Sequence, residues 1–98
     1  MFLIRNVFKC KPGKAKNLIE KLKKANELMK GAGAIMSDRV LVDEVASFWT
    51  VVIETEVEDM AKFAESMQAY GSRKDVQEAM AGYMDLVDGG YREIFRIA

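Results

Sequence analysis

The chain has no histidine, and only one cysteine, one proline and one tryptophan in 98 residues. Without histidine the commonest metal ligand and the usual base at neutral pH are gone, and no Ser-His-Asp or Cys-His arrangement forms within this chain. Cys10 alone makes neither an intrachain disulfide nor a cysteine-based zinc site, so a reducing compartment is the simplest expectation. No apolar run approaches the roughly eighteen residues of a membrane-spanning helix, and the first residues alternate in polarity, unlike a secretory signal. Gly31-Ala32-Gly33 and Gly89-Gly90 lack the rest of a nucleotide-binding signature and read as turns. These absences predict a cytoplasmic protein with no metal, no cofactor and no membrane association.

Fifteen basic residues balance fifteen acidic ones, so the net charge is zero and nothing draws the whole molecule to nucleic acid. The distribution is uneven: residues 1–30 carry nine Lys or Arg against two acids, and residues 31–98 carry six against thirteen. The basic excess is either a solvated helix surface or a contact for the acidic remainder of another subunit. Half the residues are hydrophobic. At this length the chain forms one domain over residues 1–98 and buries only about two-thirds of its unfolded surface, leaving apolar residues for a partner.

Residues 2–10 alternate as a strand. Phe2, Ile4, Asn6, Phe8 and Cys10 share one face, and Asn6 is the polar exception in that row. A buried amide needs partners, so Asn6 either makes a structural bond or anchors a ligand. Pro12-Gly13 ends the strand, and a basic amphipathic helix follows from about Lys14 to Lys30, with Leu18, Leu22, Ala25 and Met29 inward and Gly31 and Gly33 as its stop. Residues 34–44 read as an edge or bulged strand, because Ser37, Asp38 and Arg39 interrupt the alternation. A third strand, from about Ser47 to Glu54, is apolar on both faces, with Trp49, Val51 and Ile53 in one row, which makes it central.

A second helix is expected from about Val57 to Ala69, with Thr55 as N-cap and Met60, Phe63, Ala64 and Met67 as its stripe. Ser72 and Asp75 cap a third helical piece from Arg73 to about Leu86. Asp88-Gly89-Gly90 is the last turn before a final strand over residues 91–97. This order predicts an α+β, ferredoxin-like βαββα(α)β domain with a four-stranded antiparallel sheet. Its helices cover one face of the sheet. The other keeps apolar residues that a second copy buries by face-to-face packing.

The remaining candidates for chemistry are few. Trp49 is a core, interface or pocket aromatic. Tyr70 and Tyr83 line the space between helices and sheet or cap the core, Tyr91 opens the last strand, and Arg39 binds an anion or pairs with Asp38, Asp43 or a partner's acid. Met29, Met60, Met67, Met80 and Met84 fill a core or shape a pocket for a flat hydrophobic compound. Cys10 is a buried strand residue without an assisting histidine.

Ile4-Arg5 and Phe8, the Lys11-Pro12-Gly13-Lys14 turn, and the aromatic third strand followed by Thr55-Glu56-Val57-Glu58-Asp59 give the chain a layout that resembles the dimeric α+β barrel superfamily. It looks like the small stand-alone members that include antibiotic-biosynthesis-type monooxygenases and NIPSNAP-like domains. The resemblance implies a homodimer joined through its sheet faces, with a pocket in each subunit between sheet and helices. Some members oxidise quinol-like or polycyclic aromatic compounds without metal or flavin, and Asn6 and Trp49 match the asparagine and tryptophan those members use. The haem-degrading members rely on a histidine that this chain lacks. Three functions follow: a cofactor-independent monooxygenase, with Asn6 and Trp49 catalytic and Arg39, Tyr70, Tyr83 and Tyr91 at the ligand; a non-catalytic module binding a hydrophobic or aromatic small molecule; or an assembly protein.

Overall fold

A computed structural model describes residues 1–30 and 35–98. Strand β1 (Phe2–Cys10) leads into helix α1 (Ala15–Leu28), then strands β2 (Ile35–Val42) and β3 (Thr50–Val57), helices α2 (Met60–Gly71) and α3 (Lys74–Met80), a 3-10 turn (Tyr83–Leu86) and strand β4 (Val87–Arg96). The strands form one antiparallel sheet in the order β2-β3-β1-β4, with all helices on one side: the ferredoxin-like α+β arrangement expected from the element order. As expected, β3 is interior, and β2 is an edge strand whose register shifts between Ile35 and Ser37.

The tightest core lies at the end of the sheet under α1. Ala15, Leu18 and Leu22 bring the inner stripe of α1 down on Cys10 and Val51, and Phe8, Ile53 and Tyr83 close around them. Leu18 and Val51 are fully buried. The opposite end is looser. No residue of α2 is buried, and its stripe of Met60, Phe63 and Met67 is only half covered.

Several boundaries differ from the sequence reading, each for a local reason. β3 begins at Thr50, not Ser47, because the β2–β3 loop closes on Asp43: its backbone N–H donates to Thr50 O at 3.1 Å, and its carboxylate accepts from Thr50 N at 2.9 Å. Trp49 therefore leaves the strand row. It adopts a positive φ of 62°, uncommon for a bulky residue, with its carbonyl held by Cys10 N at 2.8 Å. Lys9 Nζ also donates to Phe48 O across this loop.

Thr55 is not a helix cap; it is buried within β3. Asp59 caps α2 instead, its Oδ1 accepting from Ala61 N at 2.9 Å and Lys62 N at 3.1 Å. Ser72 ends α2, bonding back to Gln68 O, and does not open α3. The third helical piece breaks at Ala81-Gly82, where φ and ψ of −55° and 130°, then 80° and 3°, make a type II turn that favours glycine at its third position.

Asp88-Gly89-Gly90 lies inside β4 and is not a turn. Gly90 pairs with Phe8, next to a register shift at Lys9/Cys10, and a Cβ there would sit 2.3 Å from Val7 O. Only glycine lets β4 approach β1 so closely. The proposed stop at Gly31 and Gly33 falls outside the described residues.

Candidate functional site

Strand register places the residues of the helix-facing side in rows across the sheet. One row runs Val40, Ile53, Asn6, Arg92 from β2 to β4, and the next runs Asp38, Thr55, Ile4, Ile94. Above these rows α1 contributes Ala25 and Asn26 and its C-terminal cap Met29, α3 and the 3-10 turn contribute Val76, Met80 and Tyr83, and α2 contributes Met60, Phe63 and Met67. The helices do not close fully on the sheet.

A hollow of about 530 Å³ lies between Asn6, Phe8 and Ile53 of the sheet and Leu22, Met29, Met80 and Tyr83 above. A smaller one of about 330 Å³ lies under α2, against Ile4, Thr55 and Ile94. Asn6, Asn26, Met29 and Arg92 line both, so the two are lobes of one trough that meet at these residues. The lining is largely apolar, with few polar groups, the composition of a small-molecule site.

At the junction Arg92 Nε donates to Asn6 Oδ1 at 2.6 Å. Asn6, the polar exception of β1, thus faces the trough. Arg92 and Asn26 were not singled out in the sequence. Asn26 had a signal, being four residues beyond Leu22 and therefore beside the inner stripe of α1. Arg92 had none, because its partner lies 86 positions away.

The other sequence-derived site residues divide sharply. Tyr83 lines the larger lobe with Asn6; Tyr91 adjoins that lobe along β4, but its pairing with Val7 places it in the open-face row, where it is 61% exposed. Trp49 lines neither lobe. Tyr70 ends α2 with the Arg73 guanidinium 5.1 Å from its ring centre. Arg39 is on the opposite face of the sheet.

On that open face Arg39, Glu54, Arg5 and Glu93 occupy one row across all four strands. Arg39 donates to Glu54 Oε1 from Nε at 2.9 Å and from its terminal nitrogen at 2.5 Å; Arg5 donates to Glu54 Oε2 at 2.9 Å and to Glu93 Oε1 at 2.7 Å. Arg39 pairs with Glu54, then, and not with Asp38 or Asp43. Glu54, expected to mark a strand end, is the buried centre of the network, 8% exposed. The Arg39 hydrogen bond, helped by Arg5 and opposed by burial, lowers the Glu54 pKa, and the Glu54 bond raises that of Arg5. An apolar row of Leu41, Val52, Val7 and Tyr91 runs beside these charges.

Cys10 is 1% exposed in the core, and burial pushes its thiol pKa up, away from reactivity. Among the described residues no three His, Cys, Asp or Glu side chains group to hold a metal, and no helix is long and apolar enough to cross a membrane.

No family model matches the chain, and no curated protein is similar to it in sequence. Solved structures are similar in fold. A NIPSNAP family protein of unknown function from Agrobacterium tumefaciens superposes with a TM-score of 0.83 at 15% identity, covering 100% of this chain and 88% of the other. A NIPSNAP domain protein from Burkholderia xenovorans gives 0.81 at 10% identity, covering 100% and 95%. A Nitrosomonas europaea protein provisionally described as an antibiotic biosynthesis monooxygenase gives 0.79 at 11% identity, covering 99% and 98%. The chain has the α+β fold these proteins share, as the sequence resemblance implied, and identities this low establish the fold alone.

Proposed function

We propose that this protein binds a hydrophobic or aromatic small molecule in the trough between its sheet and helices. The observation that carries this reading is the 530 Å³ apolar lobe floored by Phe8 and Ile53, with Asn6 at its edge. Its size is within the range of ligand pockets, which favours binding over a role in assembly alone. Titration with 1,4-dihydroxynaphthalene under nitrogen tests it: saturable binding is expected, weakened at least tenfold when Met80→Trp fills the lobe. Equal binding by that variant overturns the site.

A second reading is cofactor-independent oxygenation of a bound quinol-type compound. Asn6 supports it, because an amide donor in an apolar hollow suits a developing oxyanion. Trp49, outside the trough, does not take part in this version. Oxygen uptake on anthrone or quinol substrates, lost in Asn6→Ala, is the expected result; unchanged turnover in that variant removes Asn6 from the chemistry, and binding without turnover leaves a carrier or sensor.

We also propose that two copies pack through their open sheet faces. Leu41 and Tyr91 of the apolar row are exposed there, as is Phe95, which a partner would shield. Light scattering across micromolar concentrations should give a dimer, and a stable monomer refutes the packing. Cytoplasmic residence belongs to the same proposal and fits the single free Cys10.

A further inference from the structure

The bond between Arg92 and Asn6 gives the trough a polarity, and with it a ligand class; this inference rests on the binding function proposed above. A guanidinium has donors and no acceptor. The 2.6 Å contact from Arg92 Nε therefore holds the Asn6 amide by its oxygen and leaves Nδ2 as a donor. Among the described residues neither Asn6 Nδ2 nor the terminal nitrogens of Arg92 donates to a protein acceptor; Arg92 is an exposed residue, and the half-buried Asn6 has no buried side-chain atom left without a partner. These donors are thus accessible where the two lobes meet.

On the side of the larger lobe the charge around them has one sign. Among the described residues no carboxylate lines the larger lobe, and Arg92 is its only charged residue. Asp38 borders the smaller lobe alone and sits on β2, three strand spacings or roughly 14 Å from β4. Open-face arginines, by contrast, already have carboxylate partners. A cluster of donors beside an apolar hollow, with no acid in its lining, is complementary to an anionic acceptor attached to an apolar body.

We propose that the trough takes an amphiphilic monocarboxylate. Its carboxylate accepts from Arg92 and Asn6 Nδ2, and its apolar body lies along Phe8, Leu22, Met80 and Tyr83. Arg92 is exposed, so water screens the charge and the head group contributes selectivity more than affinity.

The test compares acids with neutral alcohols of the same body: decanoate against decan-1-ol, and 1-naphthylacetate against 2-(1-naphthyl)ethanol, by calorimetric titration. Wild-type protein is expected to bind the acid about tenfold more tightly within at least one pair. Arg92→Met removes the cationic donor, and Asn6→Asp, nearly isosteric, places a carboxylate against Arg92; each should abolish the preference while alcohol binding persists. Circular dichroism melts confirm that both variants fold, and two positions keep the result decisive if one variant does not. Equal affinity for acid and alcohol in the wild type, or a preference that survives in a folded variant, overturns the head-group assignment and leaves the trough standing. Failure of all four compounds to bind overturns the trough itself.

Discussion

On the open face of the sheet, Arg39, Glu54, Arg5 and Glu93 satisfy one another in a single row; on the helix-covered face, one position along each strand, Asn6 and Arg92 share one bond and leave donors facing a hollow. The strands are the same and the neighbouring rows are 3–4 Å apart. The contrast separates two uses of polarity. Charges that complete each other hold β-strands in register, whereas polar groups left incomplete beside an apolar cavity are available to a ligand. The covered face repeats the contrast along its own length, since Leu18 on the inner side of α1 is fully buried but no residue of α2 is buried.

The comparison can be broken by substitution. Leu18→Ala, at the packed end, should destabilise by about 3 kcal/mol, read from urea midpoints. A loss below about 1 kcal/mol would place the core elsewhere. Glu54→Gln should destabilise by about 2 kcal/mol, less than for a fully buried network because Arg39 is largely exposed. Its pH dependence follows from the depressed folded-state pKa. The stabilisation by Glu54 is fully present above the ordinary value of 4.5 and fades as pH falls below it through the lower folded value. Wild type and Glu54→Gln should therefore converge in stability toward acid pH, and a constant difference would deny the ionised network its role. Met67→Ala, over the smaller lobe, should change stability by less than about 1 kcal/mol. Amide hydrogen exchange in α2 should correspondingly be faster than in α1, and equal protection would show the two helices to be equally anchored.

How much was legible depended on the range of the interaction concerned. The alternation of β1, the stripe of α1 and the two apolar faces of β3 are local patterns; β1 and α1 formed where theirs predicted, and β3 formed as an interior strand with its bounds moved from Ser47–Glu54 to Thr50–Val57. Asn6 could be singled out for the same reason, as one amide in an apolar row. Trp49 was misplaced because the alternation from Phe48 to Ile53 continues past the point where Asp43 closes the loop. The Gly89-Gly90 pair looked like a turn because local sequence does not show the carbonyl of Val7 pressing on Gly90. Thr55 looked like a cap because a threonine followed by Glu58 fits that motif, yet β3 continues to Val57 and Asp59 satisfies the free helix donors.

By itself, then, the sequence determined which side chains share a face of each element, because a two-residue strand period and a 3.6-residue helix period are properties of the local backbone. Only the tertiary structure decided which faces meet. Pairing β1 with both β3 and β4 set Arg5 between Glu54 and Glu93, and Asn6 beside Arg92. Those juxtapositions depend on the register between distant segments, where a slip of one residue turns every side chain of a strand to the opposite face.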